Sequence, residues 1–212
     1  MYWNSVSPLL RSLLKALIDD VAFNSFRLVG GTALALQLGH RVAGDISLST
    51  GITYENLYLD GLGFHLKRKY AYYSRMRSDT TFKGIQFFIG DNENEAVKVE
   101  LSGEAHFVDF YHVTESIRLA TIEDIIAMKI EAMQTAGRKE DFWDLHELLR
   151  TYSLESMMGL HKKRYPNAHD KALILEKLTD FTRADEDFEP ICLRGKYWGL
   201  IKLDIIQAAS EC

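Results

Sequence analysis

The stretch Leu28-Val29-Gly30-Gly31-Thr32-Ala33-Leu34-Ala35-Leu36-Gln37-Leu38-Gly39-His40-Arg41, followed closely by Asp45-Ile46-Ser47-Leu48, constrains this chain more than any other. It reads as a short buried strand, a two-glycine turn, a short helix and a second strand that opens on a carboxylate. Phe26 to Val29 is apolar and ends at glycine, as a buried strand should. Gly30 and Gly31 allow the backbone to approach a ligand closely and to take positive φ. Thr32 is placed to cap the helix that follows, whose first turn carries unpaired amides and the positive end of the helix dipole. Such a turn is a phosphate site. A short helix and a loop then bring a second strand back, so that Asp45 can return to the same place. Strand alternation puts Asp45, Ser47 and Ser49 on one face and Ile46 and Leu48 on the other.

The rest of the chain can build a full core around this unit. Its 212 residues are 47% hydrophobic and 26% charged, which suits one domain or two small ones tightly joined. Ser7-Pro8 opens a helix whose apolar stripe is Leu9, Leu10, Leu13, Leu14, Leu17, Ile18 and Val21. Thr53 to Asp60 is expected to be one short helix before Gly61-Leu62-Gly63. From Phe64 to Leu101 the texture becomes strand-like, with Tyr70, Tyr72, Tyr73, Thr80, Thr81, Phe82, Ile85, Phe87, Phe88 and Ile89, and antiparallel hairpins are expected. Ala96 to Leu101 alternates, with Val97, Val99 and Leu101 on one face and Lys98, Glu100 and Ser102 on the other. Phe107 to Val113 reads as one more short strand. At Thr121, a cap signature with Asp124 three places on, the period turns helical. Helices are expected at 122–136, 139–150, 154–165, 168–181 and 197–209. The fold class is therefore α+β, with a mixed α/β unit over 1–115 and a helical unit over 116–212.

Two further readings concern partners and surroundings. A formal charge of −5 argues against a broad basic surface made for nucleic acid, though it allows a local basic groove. Cys192 and Cys212 make no disulfide framework and fit a reducing interior. No apolar run approaches the roughly 20 residues that span a bilayer, and no basic-then-apolar leader opens the chain. The expectation is a cytoplasmic protein with no membrane contact. The histidines show no metal-ligand spacing, so no zinc site is expected.

In the helical half, Ile122, Ile125, Ile126, Ile130 and Met133 form an apolar stripe, and Lys129 falls inside it. A lysine there must reach water or point into a polar cavity. Asp141 and Asp144 border the packed side of the next helix. Either these residues line a cleft or they form a buried ion pair without chemistry; spacing alone does not choose. His40 and Arg41 follow the core helix, His40 as a cap on its last carbonyls or as a direct participant, Arg41 as a structural or phosphate contact.

The core arrangement resembles the polymerase-β-like nucleotidyltransferases, whose pattern is Gly-Gly/Ser-Thr, a short helix, then Asp-x-Asp. Within them, Gly30 to Arg41 is similar to the AbiEii/AbiGii-type abortive-infection branch, whose members are often toxins beside a cognate antitoxin. Leu119 to Lys129, and then Arg138 with Lys139-Glu140-Asp141-Phe142-Trp143-Asp144-Leu145, look like the second half of that pattern. Together the motifs cover roughly 26 to 150, and the remainder matches nothing identified in sequence. The resemblance implies a polymerase-β-like mixed sheet with flanking helices, followed by a helical bundle. It implies Mg²⁺ or Mn²⁺ as cofactor and an NTP as substrate, with RNA (such as tRNA) or protein as acceptor. Gly30, Gly31, Thr32, Ser47 and Arg41 would bind nucleotide. Asp45 would hold metal, with Glu100 as the further carboxylate and Asp109 in reserve, and Asp45, Lys129 and Asp144 would be the active-site residues, the lysine neutralising triphosphate. Taken alone, Glu100 reads instead as a solvated residue paired with a neighbouring lysine.

The chain departs from the pattern at Ser47, where the family has its second aspartate. A neutral hydroxyl is a poor Mg²⁺ ligand beside a carboxylate. Two readings follow: a working nucleotidyltransferase, or a degenerate relative that keeps the fold without transfer. A third, an interaction protein whose helical half binds an antitoxin, is compatible with either.

Overall fold

Ser7 and Pro8 begin the first helix as the sequence indicates: the Ser7 hydroxyl accepts from the Leu10 amide at 3.1 Å and Pro8 takes the first helical position. The computed structural model describes residues 1–76, 84–103 and 106–212. α1 (Pro8–Ile18) leads to β1 (Arg27–Val29), α2 (Gly30–Leu38) and β2 (Asp45–Thr50). α3 (Leu59–Lys69), β3 (Tyr72–Arg75), β4 (Gly84–Asn92) and β5 (Glu95–Gly103) follow, then a short hairpin of β6 (His112–Thr114) and β7 (Ile117–Leu119). The helical half comprises α4 (Ile122–Ala136), α5 (Lys139–Leu148), α6 (Leu154–Arg164), α7 (Lys171–Thr179), α8 (Thr182–Glu186) and α9 (Trp198–Ser210).

The strands form one mixed seven-stranded sheet in the order β3-β4-β5-β2-β1-β7-β6. β2 is antiparallel to β1 and parallel to β5, with Val29 opposite Ser47 and Ser47 opposite Glu100. The alternation read from sequence holds on both central strands. Ile46 and Leu48, with Val97, Val99 and Leu101, are buried on one side, where α1 packs its stripe of Leu10, Leu13, Leu14, Leu17 and Ile18. Each such side chain stabilises the fold by about 1.5–3 kcal/mol. That burial fixes the register and obliges Asp45, Ser47, Lys98 and Glu100 to share the other face.

Several local expectations are corrected. α2 begins at Gly30 with Val29 as its cap residue, so Thr32 lies inside the first turn and caps nothing. The helix expected over Thr53 to Asp60 is a single 3-10 turn (Tyr54–Asn56), and the real helix, α3, runs on through Phe64. Gly61 and Gly63 do not break it: Leu59 and Leu66 are buried beneath it, and Lys67, Arg68 and Lys69 suit its C-terminal dipole. The expected strand texture therefore begins only at Tyr72; Thr80, Thr81 and Phe82 lie outside the described residues. The strand expected over Phe107 to Val113 is reduced to His112–Thr114. The helix expected over 168–181 stops at Thr179, where the Asp180 carboxylate accepts from the Thr182 amide and turns the chain into α8.

The change of texture expected at 115–116 falls in the β6–β7 turn, where Glu115 and Ser116 take φ 50° and 68°. β7 therefore lies beyond it yet pairs with β1, Leu28 opposite Leu119. The C-terminal region also returns to the core. Val42 donates its amide to the Ile191 carbonyl and Leu193 to the His40 carbonyl, both at 2.9 Å.

Candidate functional site

The site is assembled where α2 meets the polar face of β2. Gly30 adopts φ +68°, which turns the chain from strand to helix. A Cβ at Gly30 would lie 3.6 Å from Cβ and Oγ of Ser47, so the first turn of α2 sits directly over β2. Thr32 completes the junction: its hydroxyl donates to the Asp45 carbonyl at 2.6 Å and approaches Asp45 Oδ1 at 3.3 Å. The glycine turn and the acidic strand edge thus meet, as the sequence reading requires.

Glu100 lies beside Ser47 on β5 and is heavily bonded. Its Oε1 accepts from Gln86 at 2.7 Å and pairs with Lys98 at 2.6 Å, while Oε2 accepts from the Ser47 hydroxyl at 2.9 Å. Burial pushes the Glu100 carboxyl up, but Lys98 and the Ser47 and Gln86 bonds outweigh it and hold it below its ordinary value. Among the described residues, the Asp45 carboxylate has the Thr32 hydroxyl as its side-chain partner. Among the described residues no three His, Cys, Asp or Glu side chains converge as a metal-binding group. Asp45 and Glu100 are donors of the type a divalent cation takes, since Mg²⁺ is usually held by one or two carboxylates plus substrate phosphates. Asp109 takes no part in it. It lies in the loop before β6, where its carbonyl accepts from Arg27 and its amide donates to Asp124.

Lys129, Asp144 and Arg41 are brought together, but in a buried network. Asp144 is fully buried, and Arg41 grips it with Nε on Oδ1 at 2.6 Å and Nη2 on Oδ2 at 2.8 Å. His40 Nε2 adds a bond to Oδ1 at 2.7 Å, and Lys129 Nζ reaches Oδ2 at 2.7 Å and Asp141 at 2.6 Å. Burial works against the charges of Arg41, Lys129 and Asp144. For Asp144 the Arg41 and Lys129 charges overcome it and hold the carboxyl well below the usual range. Asp141 and Asp144 likewise keep the Lys129 ammonium above its ordinary value. His40 is not a helix cap; Arg194 bonds the Leu38 carbonyl at the end of α2 instead. Gly31 is needed here because a Cβ would collide with Arg41 Nη2. The lysine expected to meet triphosphate is thus engaged by two aspartates.

Three participants were not singled out in sequence. Lys98 shares the Glu100 face, which strand alternation displays. Glu140 links Arg41 Nη1, at 3.3 Å, to the Arg138 guanidinium. Arg138 itself is about half exposed at the start of α5, where Asp141 accepts its backbone amide at 3.0 Å. Burial lowers its pKa, but Glu140, Asp141, Asp45 and Glu100 together raise it above the ordinary value, so this cation stands in the field of the site's acids. A separate cleft of ≈ 680 Å³ lies between α5, α6 and α9, lined by His146, Arg150, Asp204 and Glu211, and contains none of these residues.

The chain is similar to known proteins in sequence and in fold. An uncharacterized protein of Aquifex aeolicus (strain VF5), aq_aa25, is 30% identical over 203 residues, covering 89% of this chain and 88% of its own. In fold, the chain is similar to JHP933 from Helicobacter pylori (TM-score 0.60, 20% identity, covering 96% of this chain and 88% of that one). It is also similar to MenT4, the nucleotidyltransferase toxin Rv2826c of Mycobacterium tuberculosis H37Rv (TM-score 0.55, 13% identity, 94% and 80% covered). The family described as nucleotidyl transferase AbiEii toxin, type IV TA system, matches residues 12–209, so the likeness extends well past the motifs visible in sequence. With the glycine turn, the acidic strand edge and the Lys129–Asp144 pair all in place, the chain belongs to the AbiEii nucleotidyltransferase toxin family.

Proposed function

We propose that this protein transfers a nucleoside monophosphate from an NTP to a hydroxyl or phosphate on RNA or protein, with pyrophosphate leaving. The observation that carries the reading is the Thr32–Asp45 contact, which sets a carboxylate against the first turn of α2. The amides of that turn and its dipole suit the triphosphate. Asp45 and Glu100 would hold Mg²⁺ or Mn²⁺, which when bound neutralises phosphate charge and polarises the reacting phosphoryl group. Arg138, half exposed and in the field of both acids, provides a guanidinium for phosphate oxygens. Lys129, Asp144 and Arg41 are positioning residues: their ion pairs hold α4 and α5 against α2 and its exit loop. Family membership supports a toxin role with a cognate antitoxin encoded nearby.

A specific observation favours a second reading, a degenerate relative without transfer: Glu100 is already satisfied by Lys98, Gln86 and Ser47, and Asp45 is the less committed carboxylate. Incubation with each α-labelled NTP, Mg²⁺ or Mn²⁺ and total RNA or protein separates the two. Labelled product that disappears in Asp45→Ala supports transfer; no product with any nucleotide supports the degenerate reading.

A further inference from the structure

The Lys98–Glu100 pair has a consequence for how many metal ions the pocket takes. Lys98 lies opposite Asp45, and Glu100 opposite Ser47, in the parallel β2–β5 register, so all four side chains occupy two adjacent rows of one face. Lys98 Nζ is 2.6 Å from Glu100 Oε1, and the pair is only partly exposed. Gln86, in the same row on β4, and Ser47 complete the coordination of Glu100 by neutral donors. Asp45 and Glu100 therefore bring two negative charges to this face, and Lys98 returns one positive charge to it, in contact with Glu100. Clustered carboxylates hold two dications by concentrating negative charge. Here that concentration is lacking, because Ser47 is neutral and an ammonium is already in place.

We propose that the Lys98 ammonium stands where a second cation would otherwise be drawn to Glu100, so that the pocket binds a single divalent ion at Asp45. The proposal rests on the nucleotidyl-transfer reading only in choosing a divalent ion as the ligand. It also accounts for Ser47: a carboxylate there would face Glu100 across the strands, whereas a hydroxyl donates to it.

The test uses Mn²⁺ alone, titrated into the full chain and followed by the electron paramagnetic resonance of the free ion. Wild type is expected to bind one Mn²⁺ per chain, lost in Asp45→Asn. Lys98→Gln is expected to bind Mn²⁺ roughly ten-fold tighter or more, because a unit positive charge opposite Asp45 in the register is removed and Glu100 is freed of it. Lys98→Arg, which keeps the charge, is expected to match wild type, and Lys98→Gln combined with Ser47→Asp to take up two ions. Two ions in wild type, no Mn²⁺ in any variant, or equal affinity in Lys98→Gln and Lys98→Arg would overturn the proposal. Because no nucleotide is present, the result does not depend on transfer: a chain that titrates as expected yet makes no labelled product refutes the activity and leaves the role of Lys98 standing.

Discussion

Arg41 holds Asp144 with a two-pronged grip, Nε on Oδ1 at 2.6 Å and Nη2 on Oδ2 at 2.8 Å, across 103 positions of sequence. The carboxylate joins residues of both halves of the chain, and removing it leaves the buried Arg41 to Glu140 at 3.3 Å and the buried Lys129 to Asp141, two cations against less negative charge. Asp144→Ala is therefore expected to destabilise the protein by about 3–5 kcal/mol in urea unfolding. Asp45→Asn, which strands no buried cation, is expected to stay within about 1 kcal/mol of wild type. Equal losses would show that the two aspartates do not divide into a positioning and a ligand-facing residue.

The same grip explains Gly31. Its missing Cβ makes room for Arg41 Nη2, whereas nothing lies within 4 Å of a Cβ built on Gly44. Gly31→Ala is expected to displace the guanidinium and cost about 1–3 kcal/mol, and Gly44→Ala to be near neutral. Thermal unfolding of the two variants checks this, and a neutral Gly31→Ala would remove the packing argument.

Acid stability follows from the direction of the Asp144 shift. In the fold this carboxyl titrates below its ordinary 3.8, because Arg41 and Lys129 outweigh burial, so protons bind the unfolded chain first. Its contribution is complete above the ordinary value and is lost as pH falls through it towards the native one. Lys129, raised above 10.5, contributes fully below that value and loses its contribution only above it. The contributions of Asp144 and Lys129 to the urea midpoint are expected to be constant from about pH 6 to 9, and the Asp144 contribution to be lost below about pH 4. Asp144→Asn should show a shallower acid limb; an unchanged limb would assign acid unfolding to other groups.

Arg138 is a half-exposed cation in the field of the site's acids, whereas Lys98 is paired with Glu100 and Lys129 with Asp141 and Asp144. Arg138→Gln is expected to weaken binding of a fluorescent NTP analogue by roughly ten-fold, the loss of a charge-assisted contact, without lowering the melting temperature. Unaltered binding would place the phosphates away from α5.

Much of this arrangement was legible because it is local. The glycine turn, the return of Asp45, the shared face of Lys98 and Glu100, and the Ser7 and Thr121 caps all follow from spacing and alternation within one or two elements. What sequence did not reveal depends on distant partners. Asp144 could be placed beside a packed face, yet nothing local shows that Arg41 and His40 would close on it. Gly61-Leu62-Gly63 reads as a break, and only the Tyr58 ring lying over Gly61, with Leu66 buried below, shows why α3 continues. Arg138 looks like part of a charged run until Glu140 ties it to Arg41.

The account stands on one pocket formed by the first turn of α2 and Asp45, and a crystal soaked with Mn²⁺ and a non-hydrolysable NTP tests it most directly. The expected result is an anomalous peak at the Asp45 carboxylate, with the triphosphate lying along Gly30, Gly31 and Thr32. A nucleotide bound elsewhere, or a metal that avoids Asp45, would contradict it.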